Sequence, residues 1–390
     1  MSRAPLTCAS ISALLIYMLS LVGSLTKTRL AHAELVALPG ASTTLITIPS
    51  LRSGWRAGQH VRLRVTALGF PLGTEAHPFT IASAPDGDGM VLMCKAAGTW
   101  TEKLYELAAG REETLQTGDP GTKRTTTATV ILEGPYGGLG HTLLPSFSSV
   151  VLVAGGSGIT HSLALAHDLV TRAPTGVVRA RTVDLVWIVR TEDLAKPLVP
   201  SLLELVSDAK AWEVQCLQTR LKGGDRPQPT ALRVTVYITR CPASSPVNLL
   251  AQDAPFLAGR DDVLLDRQRP RNPYGLGRQT TEADQQKYAY LCRNVSTSSS
   301  TSSLMKKHNT PLSTISVHAS RPEFGSLLTD FVDETIARSG RDMVNASGVC
   351  VTPCGPVGMC DDVRRAVRGL EGWKKRVVGG VELEEERFGF

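Results

Sequence analysis

Between Val151 and Thr160 the chain reads VLVAGGSGIT. An apolar run enters Gly155, Gly156, Ser157 and Gly158, and Ile159 and Thr160 open a stretch with helical spacing, HSLALAHDLV. Strand, glycine turn and helix in that order present free backbone N–H groups and the positive end of a helix dipole, a setting suited to pyrophosphate. Where the dinucleotide fingerprint G-x-G-x-x-G has its third glycine, this chain has His161. The turn alone therefore leaves a purely structural role open. The next apolar run, VDLVWIVR, ends on Arg190. An acid at the end of that strand would suit the 2′-hydroxyl of NAD, whereas a cation suits the 2′-phosphate of NADP. A third turn, Cys354-Gly355-Pro356, follows the β-branched run GVCVTP.

These turns need elements to hold them. From Val150 onward strand-like and helix-like runs alternate, which predicts a parallel, doubly wound α/β sheet. Ahead of it, HVRLRVTAL, MVLMCKA and TATVILEG are short β runs separated by Gly, Pro, Asp and Ser. They predict an antiparallel β-barrel with one helix, TEKLYELAAG, inside it. Residues 222–311 are rich in Pro, Arg, Gln, Asp and Ser, with a Ser/Thr run from Ser296 to Ser303, and predict a low-complexity insertion. Within it ALRVTVYIT is itself a predicted strand. The expected domains are 1–33, a membrane helix and linker; 34–146, the barrel; and 147–390, the α/β domain with its insertion.

At 390 residues with 42% hydrophobic content, the chain has room for two cored domains. The net charge of +6 is modest and the basic residues are not interleaved with aromatics, so no nucleic-acid partner is expected. The eight cysteines form no C-x-x-C pair, so neither a metal site nor a dense disulfide framework is expected. From Ala4 to Thr26 there is no charged residue, long enough for a helix to cross roughly 30 Å of hydrocarbon. Lys27 and Arg29 follow, which places the domains after it in the cytoplasm. A cleaved signal peptide ending near Ala31–Ala33 is one competing reading, and a buried helix is the other.

In the first domain GWRAGQHVRLRV, EAHPFTIAS, CKAAGTWTEKLYEL and LEGPYGG follow one another. Singly, each has a plain reading: Gly58 a bulge, His77-Pro78 a strand-edge turn, Gly98 a helix start capped by Thr99 or Thr101. As an ordered set with VLVAGGSGIT, VDLVWIVR, CGPVGM and ERFGF, they resemble the dehydrogenase region of fungal ferric-chelate reductases and NADPH oxidases. Those belong to the ferredoxin–NADP reductase superfamily. The resemblance implies a six-stranded FAD-binding barrel followed by an NADPH-binding α/β domain. It implies FAD on His77, Pro78, Phe79 and Thr80, with its pyrophosphate at Gly98, Thr99 and Thr101. It implies NADPH on Gly155, Gly156, Ser157, Gly158, Ile159 and Thr160, on Trp187 and Arg190, and on Gly355 and Pro356. Cys354 is then the residue beside the nicotinamide, not a nucleophile, and Phe390 the aromatic on the flavin.

The activity implied is that of a membrane-attached reductase passing electrons from NADPH through FAD to ferric or cupric chelates, with the plasma membrane as its place. A superoxide-producing oxidase module is the near alternative; a catalytically silent subunit for binding or assembly is the other. Full-length relatives carry haem-binding histidine pairs in several membrane helices. Here no histidine lies in Ala4–Thr26, so haem is expected only from a missing segment or from a separate haem-bearing membrane protein.

Overall fold

The computed structural model describes residues 4–85, 87–110, 126–221, 228–240, 313–342 and 346–386. It opens on helix α1, Ala4–Thr26. The side chains described on it begin at Ile11 and are mostly exposed, Ile11, Leu14, Ile16, Tyr17 and Leu19 among them. Among the described residues no helix is long and apolar enough to cross a membrane. The spanning helix expected over Ala4–Thr26 is thus not shown. The stretch from Ile11 is shorter than the roughly 20 apolar residues that hydrocarbon requires.

Six antiparallel strands follow: β1 (Thr28–Leu38), β2 (Thr43–Ile48), β3 (His60–Val65), β4 (His77–Thr80), β5 (Met90–Lys95) and, after helix α2 (Thr99–Ala109), β6 (Thr126–Tyr136). They lie in the order β4-β3-β6-β1-β2-β5. An antiparallel bridge between Ile81 and Leu92 brings the two edges together, so the sheet is nearly a closed barrel. Strand alternation sends Ala31, Ala33, Leu35, Ile46, Ile48, Leu63, Leu92, Val130 and Leu132 into one core, which Trp100 and Leu104 of α2 join. β1 starts at Thr28, ahead of the boundary expected at residue 34. The reason is that Thr28 through Leu35 pair with β6 residue by residue, and Ala31 and Ala33 already face inward.

The second domain is the parallel sheet the alternation predicts. It consists of β7 (Ser149–Gly155), β8 (Thr182–Val189), β9 (Ala231–Ile238), β10 (Thr314–His318), β11 (Val349–Cys354) and β12 (Val381–Leu383), in the order β10-β9-β8-β7-β11-β12. β7 is buried along its whole length, as a central strand covered on both faces must be. Helices α3 (Ile159–Arg172) and α4 (Val199–Leu221) pack on one face; α5 (Phe324–Asp342) and α6 (Val357–Gly369) pack on the other.

The strand expected within the 222–311 insertion, ALRVTVYIT, is present as β9 and is a member of the sheet. β9 pairs with β8 from Thr182↔Ala231 to Val189↔Ile238 and buries Leu232, Val234, Val236 and Ile238. Residues 222–227 and 241–311 lie outside the described residues.

The chain winds outward from β7 through β8 and β9 to β10, then returns to β11 on the other side of β7. That reversal puts a topological switch point between β7 and β11. Ligands of open α/β sheets bind at the carboxyl ends of the strands there.

Candidate active site

At the switch point the glycine turn after β7 and the turn after β11 face one another. A Cβ on Gly155 would stand 2.6 Å from Pro356 Cδ, and one on Gly355 would stand 2.9 Å from Gly155 Cα. The two turns approach closely only because both residues are glycine. Gly158 is held harder still: a Cβ there would lie 2.1 Å from the carbonyl oxygen of Cys354. Gly158→Ala is expected to cost at least about 1–3 kcal/mol, the usual penalty of overpacking, and to lower nucleotide affinity with it. A melting temperature equal to that of the natural chain would show that the contact relaxes freely.

Above these turns lies a cleft of about 1020 Å³. It collects Gly155, Gly156, Ser157, Gly158, Arg190, Gly355 and Pro356 from the sequence-predicted set. Gly156 takes φ +56, a left-handed turn that glycine adopts without strain. The next helix, α3, starts at Ile159, directly after the glycine turn that lines the cleft. Volume, glycine-only approach and a helix start directly after the turn fit a dinucleotide pyrophosphate. Arg190, just beyond β8, is exposed on the cleft wall.

Three predicted residues support the turn rather than line the large cleft. Trp187 is buried, and its Nε1–H donates to Gly156 O at 3.0 Å. Thr160 Oγ1 donates to Ser157 O at 3.1 Å. Trp187, Ile159 and Thr160 face a smaller cavity beside the turn, toward Leu38 and Met93 of the barrel. Cys354 is fully buried beneath Gly158. Burial, then the Glu386 carboxylate, then Cys360, push its thiol far above the ordinary range. A thiol held protonated in this way does not attack, which agrees with a packing role beside the cleft. Phe390 lies outside the described residues.

On the barrel side, β4 is an edge strand whose His77 and Phe79 gather on Trp100. The His77 and Trp100 ring centroids are 4.4 Å apart, and those of Phe79 and Trp100 are stacked at 5.8 Å. Trp100 Nε1–H donates to Leu72 O, which locks this aromatic floor. Pro78 is exposed, and Thr80 is buried opposite His60. The hydroxyl of Thr101 accepts from the amides of Ala97 and Gly98 and donates to Gly98 O, so it acts as the cap of α2. The first backward amide of α2 is that of Glu102, to Gly98 O. The amides of Thr99, Trp100 and Thr101 thus have no intrahelical acceptor and are available to an anion. An edge strand, an aromatic floor and a helix N-terminus with an unencumbered Gly98 fit a flavin and its pyrophosphate.

The two halves meet at Lys95, the last residue of β5. It borders the dinucleotide cleft and lies three residues ahead of Gly98. The domains also touch where Gly58 faces α3. At φ +88, its Cβ would stand 3.1 Å from Cε1 of His161. Position 161, where the fingerprint has glycine, therefore carries a side chain that packs against the barrel.

Sequence reasoning missed Lys95, Trp100, Arg321 and Met359. Arg321 and Met359 line the cleft from segments more than a hundred residues beyond the glycine turn. Trp100 stood inside the quoted AGTWT motif, and its place in the motif was the one available signal.

Two domains joined in this way, one with a flavin cradle and one with a dinucleotide cleft, define a flavin and pyridine-nucleotide oxidoreductase. Residues 31–139 match an FAD-binding domain family and residues 147–368 match the ferric reductase NAD binding domain. The second match covers more than half of the chain, and the chain belongs to the family of the ferric reductase NAD binding domain. It is 34% identical to human dual oxidase 2 over 139 residues, 35% of this chain and 8% of that one. It is 32% identical to a probable cell surface ferric reductase of Aspergillus oryzae over 149 residues, 36% of this chain and 18% of that one. The matched part is thus a small share of either relative. Among solved structures, a ferredoxin NADP+ reductase from Neisseria gonorrhoeae with bound FAD and NADP aligns over 91% of this chain and 98% of its own, at 15% identity and a TM-score of 0.40.

Proposed function

We propose that the chain is a membrane-attached reductase that takes electrons from NADPH, passes them through FAD, and delivers them to ferric or cupric chelates. The observation that carries this reading is the junction of the two sites. The dinucleotide turns close over Cys354, and Lys95 at the end of β5 in the barrel borders the same cleft. When bound there, the nicotinamide supplies a hydride that the flavin releases as single electrons. The protein's part is positional. Gly155, Gly156, Ser157 and Gly158 offer backbone amides to the pyrophosphate. Arg190, with Arg321 on the same cleft, supplies positive charge for a 2′-phosphate. Cys354 fills the space under the turn without reacting. Phe79 and Trp100 support the flavin from the barrel side.

The proposed division of the chain is α1 with its approach to the barrel, a barrel whose first strand begins at Thr28 and which runs to residue 146, and an α/β domain over 147–390. The exposed apolar side chains of α1 and the cell-surface relative favour attachment to the plasma membrane, with both domains on the cytoplasmic side. Haem would come from a partner. A second reading, superoxide production, is favoured by the dual oxidase similarity.

Adding NADPH and ferric-EDTA to the full chain without oxygen separates the readings. Ferrous iron forms at an undiminished rate if a chelate is the acceptor. Loss of all NADPH oxidation without oxygen would instead make the chain an oxidase module, and none in either condition would make it a silent subunit. For Phe390 we propose a place on the flavin. Phe390→Ser is expected to shift the flavin absorption bands and improve NADH turnover, since stacking of this kind is worth about 0.5–1.5 kcal/mol. An unchanged spectrum and cofactor preference would remove Phe390 from the site.

A further inference from the structure

Around the end of α1 the barrel carries cations that the reductase chemistry does not use. α1 runs into β1 without a break. Thr28 Oγ1 donates to Ser24 O at 2.9 Å, and Gly134 N donates to Lys27 O at 3.2 Å, so the helix end is fixed against β6. Lys27 Nζ lies 5.0 Å from the centre of the Tyr136 ring, and the Arg62 guanidinium 5.6 Å from it. Arg62 and Arg64 share the outward face of β3. Both reach Glu133, at 3.6 and 3.4 Å, but that side chain is only 6% exposed and is spent within the barrel wall. Arg29 lies against Gly54, its Nη1 3.5 Å from where a Cβ would stand. Exposed Arg52 and Arg56 flank Gly54 in the loop between β2 and β3. Among these cations stands Leu30, 72% exposed, in register with Ile131, which pairs on its other side with Arg64.

We propose that this collar of Lys27, Arg29, Arg52, Arg56, Arg62 and Arg64 rests on the anionic phospholipid headgroups of the membrane that α1 enters. The inference depends on the membrane attachment proposed above and adds to it the face of the barrel that meets the lipid. Three features commit it to lipid. The cations begin at the residue after an apolar helix, where headgroups would lie. Among the described residues the one ion-pair partner of these cations is buried Glu133, and the negative cytoplasmic leaflet complements their charge. Leu30 is an exposed apolar side chain set among cations, the pairing that suits the boundary between headgroups and acyl chains. The collar also leaves the dinucleotide cleft free, since none of its residues lines that cleft.

The test is amide hydrogen exchange of residues 51–58 in the full chain. It is reconstituted into vesicles of phosphatidylcholine alone and of phosphatidylcholine mixed with phosphatidylserine. Exchange is expected to slow at least about five-fold in the phosphatidylserine vesicles, the effect of one cation held at an anionic surface. High salt should restore it. The Arg52→Gln, Arg56→Gln double variant changes two exposed side chains and should exchange equally in both lipids while keeping its flavin spectrum. Equal exchange of the natural chain in both lipids overturns the proposal, as it would if the collar served an acidic protein; so does a lipid difference that persists in the double variant. Alkaline carbonate treatment of the same vesicles reports on α1 alone. Release with the lipid dependence intact sinks the spanning helix but keeps the collar, and retention without lipid dependence sinks the collar but keeps the helix.

Discussion

Arg190→Ala is expected to raise the KM for NADPH by about ten- to a hundred-fold while leaving the KM for NADH nearly unchanged. The magnitude is that of one lost charge-assisted contact to a phosphate, about 1.5–3 kcal/mol. The selectivity follows from position. Arg190 lies past the end of β8 on the wall of the cleft, on a different segment from the glycine turns proposed to hold the pyrophosphate common to both cofactors. Its own backbone is tied by the Arg240 amide to Arg190 O at 2.8 Å, so shortening the side chain leaves the strand end in place. Arg321 borders the same cleft and should retain part of the preference, which puts the double variant lower than either single one. Steady-state kinetics with both cofactors decide the matter. Equal losses for NADPH and NADH would mean that Arg190 supports the fold and not the phosphate.

Acid should weaken the second domain through α3. His161 is buried and His167 is half-buried with its Nδ1 out of solvent, and this burial holds both down to about 4 from the usual 6.5, with the Gly58 backbone pulling His161 the other way. Below pH 6.5 the unfolded chain takes up a proton at each, and the folded chain does not until about pH 4. Their contribution is therefore complete above pH 6.5 and is lost as pH falls through 4. At 1.36 kcal/mol per unit it amounts to about 3 kcal/mol for each histidine.

Glu213 acts in the opposite sense. Burial raises its carboxyl to about 8, against the hydrogen bond from Ser313, so the folded chain binds its proton first and gains relative stability as pH falls from 8 toward 4.5. The wild-type slope is thus the difference, and the paired His161→Gln, His167→Gln variant isolates the histidine share. Its stability measured by denaturant from pH 7 to pH 4 should fall far less than that of the natural chain. Parallel curves would show that these histidines titrate normally. Because His161 packs on Gly58, the same acid loss should loosen the contact between the domains.

What the sequence revealed was local. Alternation in HVRLRV and TATVILEG marked the barrel strands, and continuous apolar runs such as SVVLVAG marked the covered parallel sheet, because side-chain period is written in adjacent residues. The glycine turns could be read for the same reason. What it hid was long-range. Nothing near Arg321 indicates that the chain returns there to line the cleft. Nothing near Thr160 shows that its hydroxyl closes the turn. The strand Ala231–Ile238 reads as one in isolation, but its membership of the sheet depends on β8 and on β10, across a stretch of polar composition. Position 161 looked like a defect in the fingerprint until the barrel was placed against it.

The most direct measurement is the visible spectrum of the purified full chain before and after NADPH, with oxygen excluded. The account predicts flavin bands that bleach on adding NADPH, and bleach less with NADH at the same concentration. A colourless protein, or flavin bands that NADPH leaves untouched, would contradict it.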